Sequence, residues 1–128
     1  MKVPSLLIIA VLGAIWSAEA ANTDSIAARD QVILNDTVTA TTVMATKAGY
    51  LVVHTITGPT IGRILGFTPV RAGGNTNVSV SLTGAVTEVK KLVFVLREES
   101  DGNATLSPKD KLVKVNGRLV TKSITILK

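Results

Sequence analysis

Gly49-Tyr50-Leu51-Val52-Val53-His54-Thr55-Ile56-Thr57 decides how this chain is read, because it is apolar at consecutive positions before it settles into alternation. A strand of that kind is buried on both faces and needs packed neighbours above and below. Leu92-Val93-Phe94-Val95-Leu96 has the same two-faced character and is expected beside it or across from it in the interior. Around these runs the chain reads as further strands. Thr37 to Met44 is rich in threonine and valine, with Val38, Ala40 and Thr42 expected on one face and Thr39, Thr41 and Val43 on the other. Asn77 to Leu82 alternates more cleanly, turning Val78, Val80 and Leu82 to a core and Asn77, Ser79 and Ser81 to water. Gly58-Pro59 ends the central strand, and Ile61 to Gly66 returns with Ile64 and Leu65 as the expected buried pair. Pro69 limits the next piece of chain to an edge strand or a loop. Asn35-Asp36 and Arg71 to Asn75 read as turns. Asn116-Gly117 supplies the two positive-φ residues of a type I′ turn, joining Leu112–Val115 to Arg118–Leu127 as a hairpin.

About seven or eight short strands with no helical period predict an all-β fold, an antiparallel two-sheet immunoglobulin-like sandwich over residues 31–128. A small closed barrel is the competing architecture. Hydrophobic residues form 46% of the chain and aromatics only 3%, so the core is aliphatic. The absence of cysteine excludes disulfides, thiolate metal sites and a Cys nucleophile. Net charge is +5, carried by scattered residues such as Arg29, Lys47, Arg63, Arg71, Lys90 and Lys109 with almost no aromatics beside them. A nucleic-acid binder clusters its cations and interleaves stacking rings, so that partner class is set aside.

Residues 1–20 read as a cleaved signal peptide. Lys2 forms the positive start, Leu6 to Trp16 the apolar stretch, and Ala18-Glu19-Ala20 the small-x-small cleavage pattern. About 20 apolar residues are needed to span a bilayer, and this run is shorter. Residues 21–30 are expected to be a flexible N-terminal arm. No transmembrane segment is expected in the mature chain, which is placed outside the cell or on its surface.

Taken together, Gly49 to His54, Ile64-Leu65-Gly66, Arg71-Ala72-Gly73, Asn77 to Leu82, Leu92 to Leu96 and Val115-Asn116-Gly117 resemble an uncharacterised domain family of secreted and cell-surface archaeal proteins. The resemblance implies an extracellular immunoglobulin-like β-sandwich without an assigned activity, and it supplies no catalytic residue. In such domains an Asp-rich run often follows a His in the acidic loop, whereas this chain has Arg97-Glu98-Glu99-Ser100-Asp101 there.

His54 is the single histidine, and no Ser/His/Asp order or His-x-x-x-His spacing surrounds it. It reads as a strand-end histidine bonding backbone. Glu99, Asp101 and Asn103, on a Gly-containing loop, offer the oxygen ligands that Ca²⁺ takes, though without EF-hand spacing. Ca²⁺ is the one cofactor considered. Asn35, Asn77 and Asn103 each open an Asn-x-Ser/Thr sequon and are glycosylation candidates. The glycine pairs precede no helix and cradle no phosphate. The function expected is that of a non-enzymatic structural or adhesive module, self-associating or binding another surface protein. Thr37 to Met44 is expected to be an open sheet edge, with Gln31–Leu34 donated as a strand to a neighbour. The alternative is a monomeric binder of carbohydrate, Ca²⁺ or a surface partner.

Overall fold

The computed structural model describes residues 23–84, 86, 88–99 and 111–127. The expected signal peptide lies outside this range. In chain order the strands are β1 (Ser25–Ala27), β2 (Thr37–Ala45), β3 (Gly49–Thr57), β4 (Thr60–Val70), β5 (Gly73–Ser81), β6 (Lys91–Glu98), β7 (Lys111–Leu112), β8 (Lys114–Val115), β9 (Arg118–Leu119) and β10 (Thr121–Thr125). One sheet has the order β1-β2-β5 and the other β10-β6-β3-β4, with β7 extending the edge of β6 and β8–β9 forming a small hairpin. The pairings between strands are antiparallel. This is the strand arrangement of an immunoglobulin-like sandwich, with β1, β2 and β5 on one side and a four-strand path on the other.

The two apolar runs lie side by side rather than across from each other, β3 between β6 and β4, with Leu51 against Leu96 and Val53 against Phe94. Leu51, Val53, Leu65, Leu92, Phe94 and Leu96 meet Val38, Ala40, Val43 and Val80 from the smaller sheet in the core. Each fully buried Val, Leu or Phe side chain there contributes about 1.5–3 kcal/mol. Asn116 and Gly117 have φ values of 54° and 81°, the pair that a type I′ turn requires, and Asn35 and Asp36 repeat it at 53° and 55°.

Three expectations are corrected. On β2, Val38 and Ala40 are buried, but so are Val43 and Ala45, whereas Thr42 is only half-buried. The faces exchange at Thr41, which lies opposite Asn77 at φ 50°. A left-handed residue cannot continue the pleat, so β5 kinks and β2 follows it. On β4, Leu65 is buried but Ile64 is 42% exposed. Pairing steps from Val53↔Gly66 to His54↔Ile64, placing two residues of β4 against one of β3, and this bulge turns Leu65 inward. The third concerns the arm. Ser25–Ala27 pairs with Thr42–Met44, and the Asp24 carboxylate accepts the Thr46 amide at 2.6 Å. Strand β2 is therefore not an edge, and the segment leading into it is bonded within its own domain.

Candidate functional site

The two outer faces of the sandwich are chemically unlike. The smaller sheet presents Thr37, Thr39, Ser79 and Ser81, with the Thr39 and Ser79 hydroxyls 3.0 Å apart. Such a face is satisfied by water. On the larger sheet, register places Phe67, Val52, Val95 and Thr121 in one row across β4, β3, β6 and β10, and Ile64, His54, Val93 and Ser123 in the next. A further row is Pro69, Tyr50, Arg97 and, on β7, Leu112. These are the residues alternate to those in the shared core. Val52, Val93 and Val95 are buried, while the β4 flank stays open: Ile61, Ile64 and Phe67 are 37%, 42% and 41% exposed. The Tyr50 and Phe67 rings meet edge to face at 5.8 Å.

His54 lies within this face and is 7% exposed. Its Nδ1 is 3.0 Å from the Gly62 carbonyl oxygen, a backbone bond of the kind expected, and its Nε2 has no hydrogen-bond partner. The role visible here is to join β3 to the bulged part of β4. Arg97 Nε is also buried without a partner. At the same end, the Tyr50 hydroxyl donates to Glu99 Oε1 at 2.6 Å, and the Glu99 amide donates to the Ala48 carbonyl.

Of the Ca²⁺ candidates, Glu99 is therefore engaged with Tyr50, whereas Asp101 and Asn103 lie outside the described residues. Among the described residues no group of three or more His, Asp or Glu side chains gathers. Asn35 and Asn77 are exposed, and both are left-handed. A cleft of about 530 Å³ opens where β3 ends, between Thr55, Thr57 and Gly58 on one side and Glu88, Lys90 and Lys91 on the other. No helix among the described residues is long and apolar enough to cross a membrane.

The hydrogen-bonded unit begins at Asp24, which holds Thr46, and closes at Leu127, whose amide donates to the Gln31 carbonyl. A family model matches residues 24–126, within one residue of these limits. The chain belongs to that family, a domain of unknown function, DUF7282. No curated protein and no solved structure matches it. In this member of the family, the sequence showed the two-faced runs but not the open apolar flank on β4. That flank depends on a bulge, and the only signal for it was the apolar content of Ile61, Ile64 and Phe67 around two glycines.

Proposed function

We propose that this domain is a secreted, non-enzymatic structural or adhesive module of a cell surface, of the archaeal type its sequence resembles, and that it self-associates through the larger sheet. The observation that carries the reading is the difference between the outer faces. Hydroxyls on the smaller sheet need only water, but the larger sheet leaves Ile61, Ile64 and Phe67 half-open beside the buried Val52, Val93 and Val95. A second copy of the chain is the occupant favoured, because flank meeting flank buries like against like without opposing acidic groups.

Donation of Gln31–Leu34 to a neighbour is the less supported form of assembly. Gln31 already bridges Ile126, and the edges carry obstacles to further pairing: β1 is three residues long, β4 is bulged, and β5 is kinked at Asn77. Sedimentation of residues 21–128 over a wide concentration range tests the reading. Association is expected, and it should be lost in Ile64→Ser and Phe67→Ser variants whose circular dichroism is unchanged. A parent chain that stays monomeric at every concentration overturns it. The second reading, a monomeric binder of carbohydrate, rests on the threonine- and lysine-lined cleft beside Gly58. Monomeric protein that binds glycans and loses them in Thr57→Ala would favour that reading instead.

A further inference from the structure

Five side-chain amides lie among the described residues, Gln31, Asn35, Asn75, Asn77 and Asn116, and Asn116 serves the turn at Gly117. Gln31 and Asn75 are fully used within the fold. Gln31 accepts the Thr39 amide at 2.8 Å and donates to the Thr39 carbonyl at 2.9 Å. Asn75 accepts from the Arg71 amide and donates to the carbonyls of Arg71, Gly73 and Val43. Asn35 and Asn77, by contrast, are exposed, and neither amide makes a side-chain hydrogen bond among the described residues. Each begins an Asn-x-Ser/Thr sequence. The amides that hold the fold together are thus not the ones in sequons.

The two sequon amides differ in what surrounds them. Asn77 sits within β5, opposite Thr41, and the hydroxyl of its sequon residue Ser79 is bonded across the sheet to Thr39. Asn35 is on the two-residue turn between Leu34 and Thr37, whose backbones bond to each other at 3.0 and 3.2 Å. The hydroxyl of its sequon residue, Thr37, donates only to the Asn35 carbonyl, at 3.1 Å. Acceptor amide and sequon hydroxyl therefore share one exposed turn, where a modifying enzyme reaches both without separating strands.

We infer that Asn35 is an N-glycan acceptor. The co-reactant is a glycan carried on a polyisoprenyl phosphate or pyrophosphate, delivered by a membrane oligosaccharyltransferase of the exporting cell. Asn35 Nδ2 attacks the anomeric carbon, the C1–Nδ2 bond forms as the C1–O bond to phosphate breaks, the amide nitrogen gives up one proton, and the lipid phosphate leaves. The inference rests on the export part of the proposed function, not on self-association.

The three sequons fall on separate tryptic peptides, with Asn35 on Asp30–Lys47, Asn77 on Ala72–Lys90 and Asn103 on Glu98–Lys109. The full chain, expressed in its source cell and recovered from outside it, is digested and analysed by peptide mass spectrometry. Peptide 30–47 should carry added hexose-type mass on Asn35, and that mass should disappear in Asn35→Gln and in Thr37→Ala, the second of which keeps the acceptor. Modification of Asn35 alone supports transfer to the folded chain, and modification of Asn77 as well supports transfer before folding. Exported protein with a bare Asn35 overturns the inference. Protein retained inside the cell with residues 1–20 attached overturns the export reading and this inference with it. A glycosylated chain that never self-associates removes only the contact reading.

Discussion

Gln31 shows how much of this fold hangs on a single side chain. Its carboxamide takes the place of a neighbouring strand for one residue, satisfying both the N–H and the C=O of Thr39, while its own backbone bonds to Thr125 and Leu127 on the opposite sheet. One residue thus ties the two sheets together at the side where β1 ends. Replacement by Ala removes three neutral hydrogen bonds, the two to Thr39 and one to the Arg29 carbonyl, each contributing about 0.5–1.5 kcal/mol. Gln31→Ala is expected to lose about 1.5–4.5 kcal/mol in urea melts, with faster hydrogen exchange at the Thr39 amide as the specific sign. An unchanged exchange rate at Thr39 would refute the strand-surrogate role. Gly49 is a different kind of constraint. A Cβ there would run into the Arg97 carbonyl oxygen, so the close approach of β3 and β6 at that end requires glycine.

At the scale of elements, irregularity decides which side chains are presented. Asn77 reverses the faces of β2 and β5 by occupying left-handed backbone in mid-strand, and the bulge in β4 sends Leu65 inward and leaves Ile64 on the outer face. Both features sit where pairing with another chain would otherwise be open. Left-handed backbone costs an L-residue with a branched Cβ roughly 1–2 kcal/mol or more, and glycine nothing. Asn77→Gly is therefore expected to fold with near-parent stability, and Asn77→Val to lose roughly 1–2 kcal/mol in thermal melts. If the valine variant is the more stable of the two, β5 regularises on substitution and the kink has no hold on the faces of β2.

For the whole molecule, the segment before β2 closes the sandwich instead of extending from it. Residues 24–34 contribute β1, the Asp24 bond to Thr46, the Asp30 bond to the Thr125 amide at 2.9 Å, and the Gln31 clip. Deleting residues 21–34 should therefore lower the melting temperature markedly and expose the edge of β2, giving aggregation in place of a tidy monomer. A truncated chain as stable as the parent would mean that these bonds are ornamental and would reopen strand donation.

The sequence by itself determined the class of fold, the two interior runs and the turns at Asn35-Asp36 and Asn116-Gly117. It left open whether the runs lie side by side, and only Lys114–Val115 and Arg118–Leu119 of the expected hairpin pair with each other. Two runs apolar on both faces have few solutions other than interior strands, and Asn116-Gly117 has one favoured turn. Local chemistry was enough for these. It was also enough to limit Pro69 to an edge strand or a loop, because proline lacks the amide that an interior strand needs, and the structure places it on the edge strand β4. Only the tertiary structure decided that Val43 and Ala45 turn inward, that Ile64 stays outside while Leu65 is buried, and that Ser25 to Gln31 fastens to its own domain. Each of these depends on a register or a long-range bond: a period of two gives the faces of a strand until one residue breaks it, and nothing near Gln31 in sequence shows that Thr39 and Ile126 are its partners.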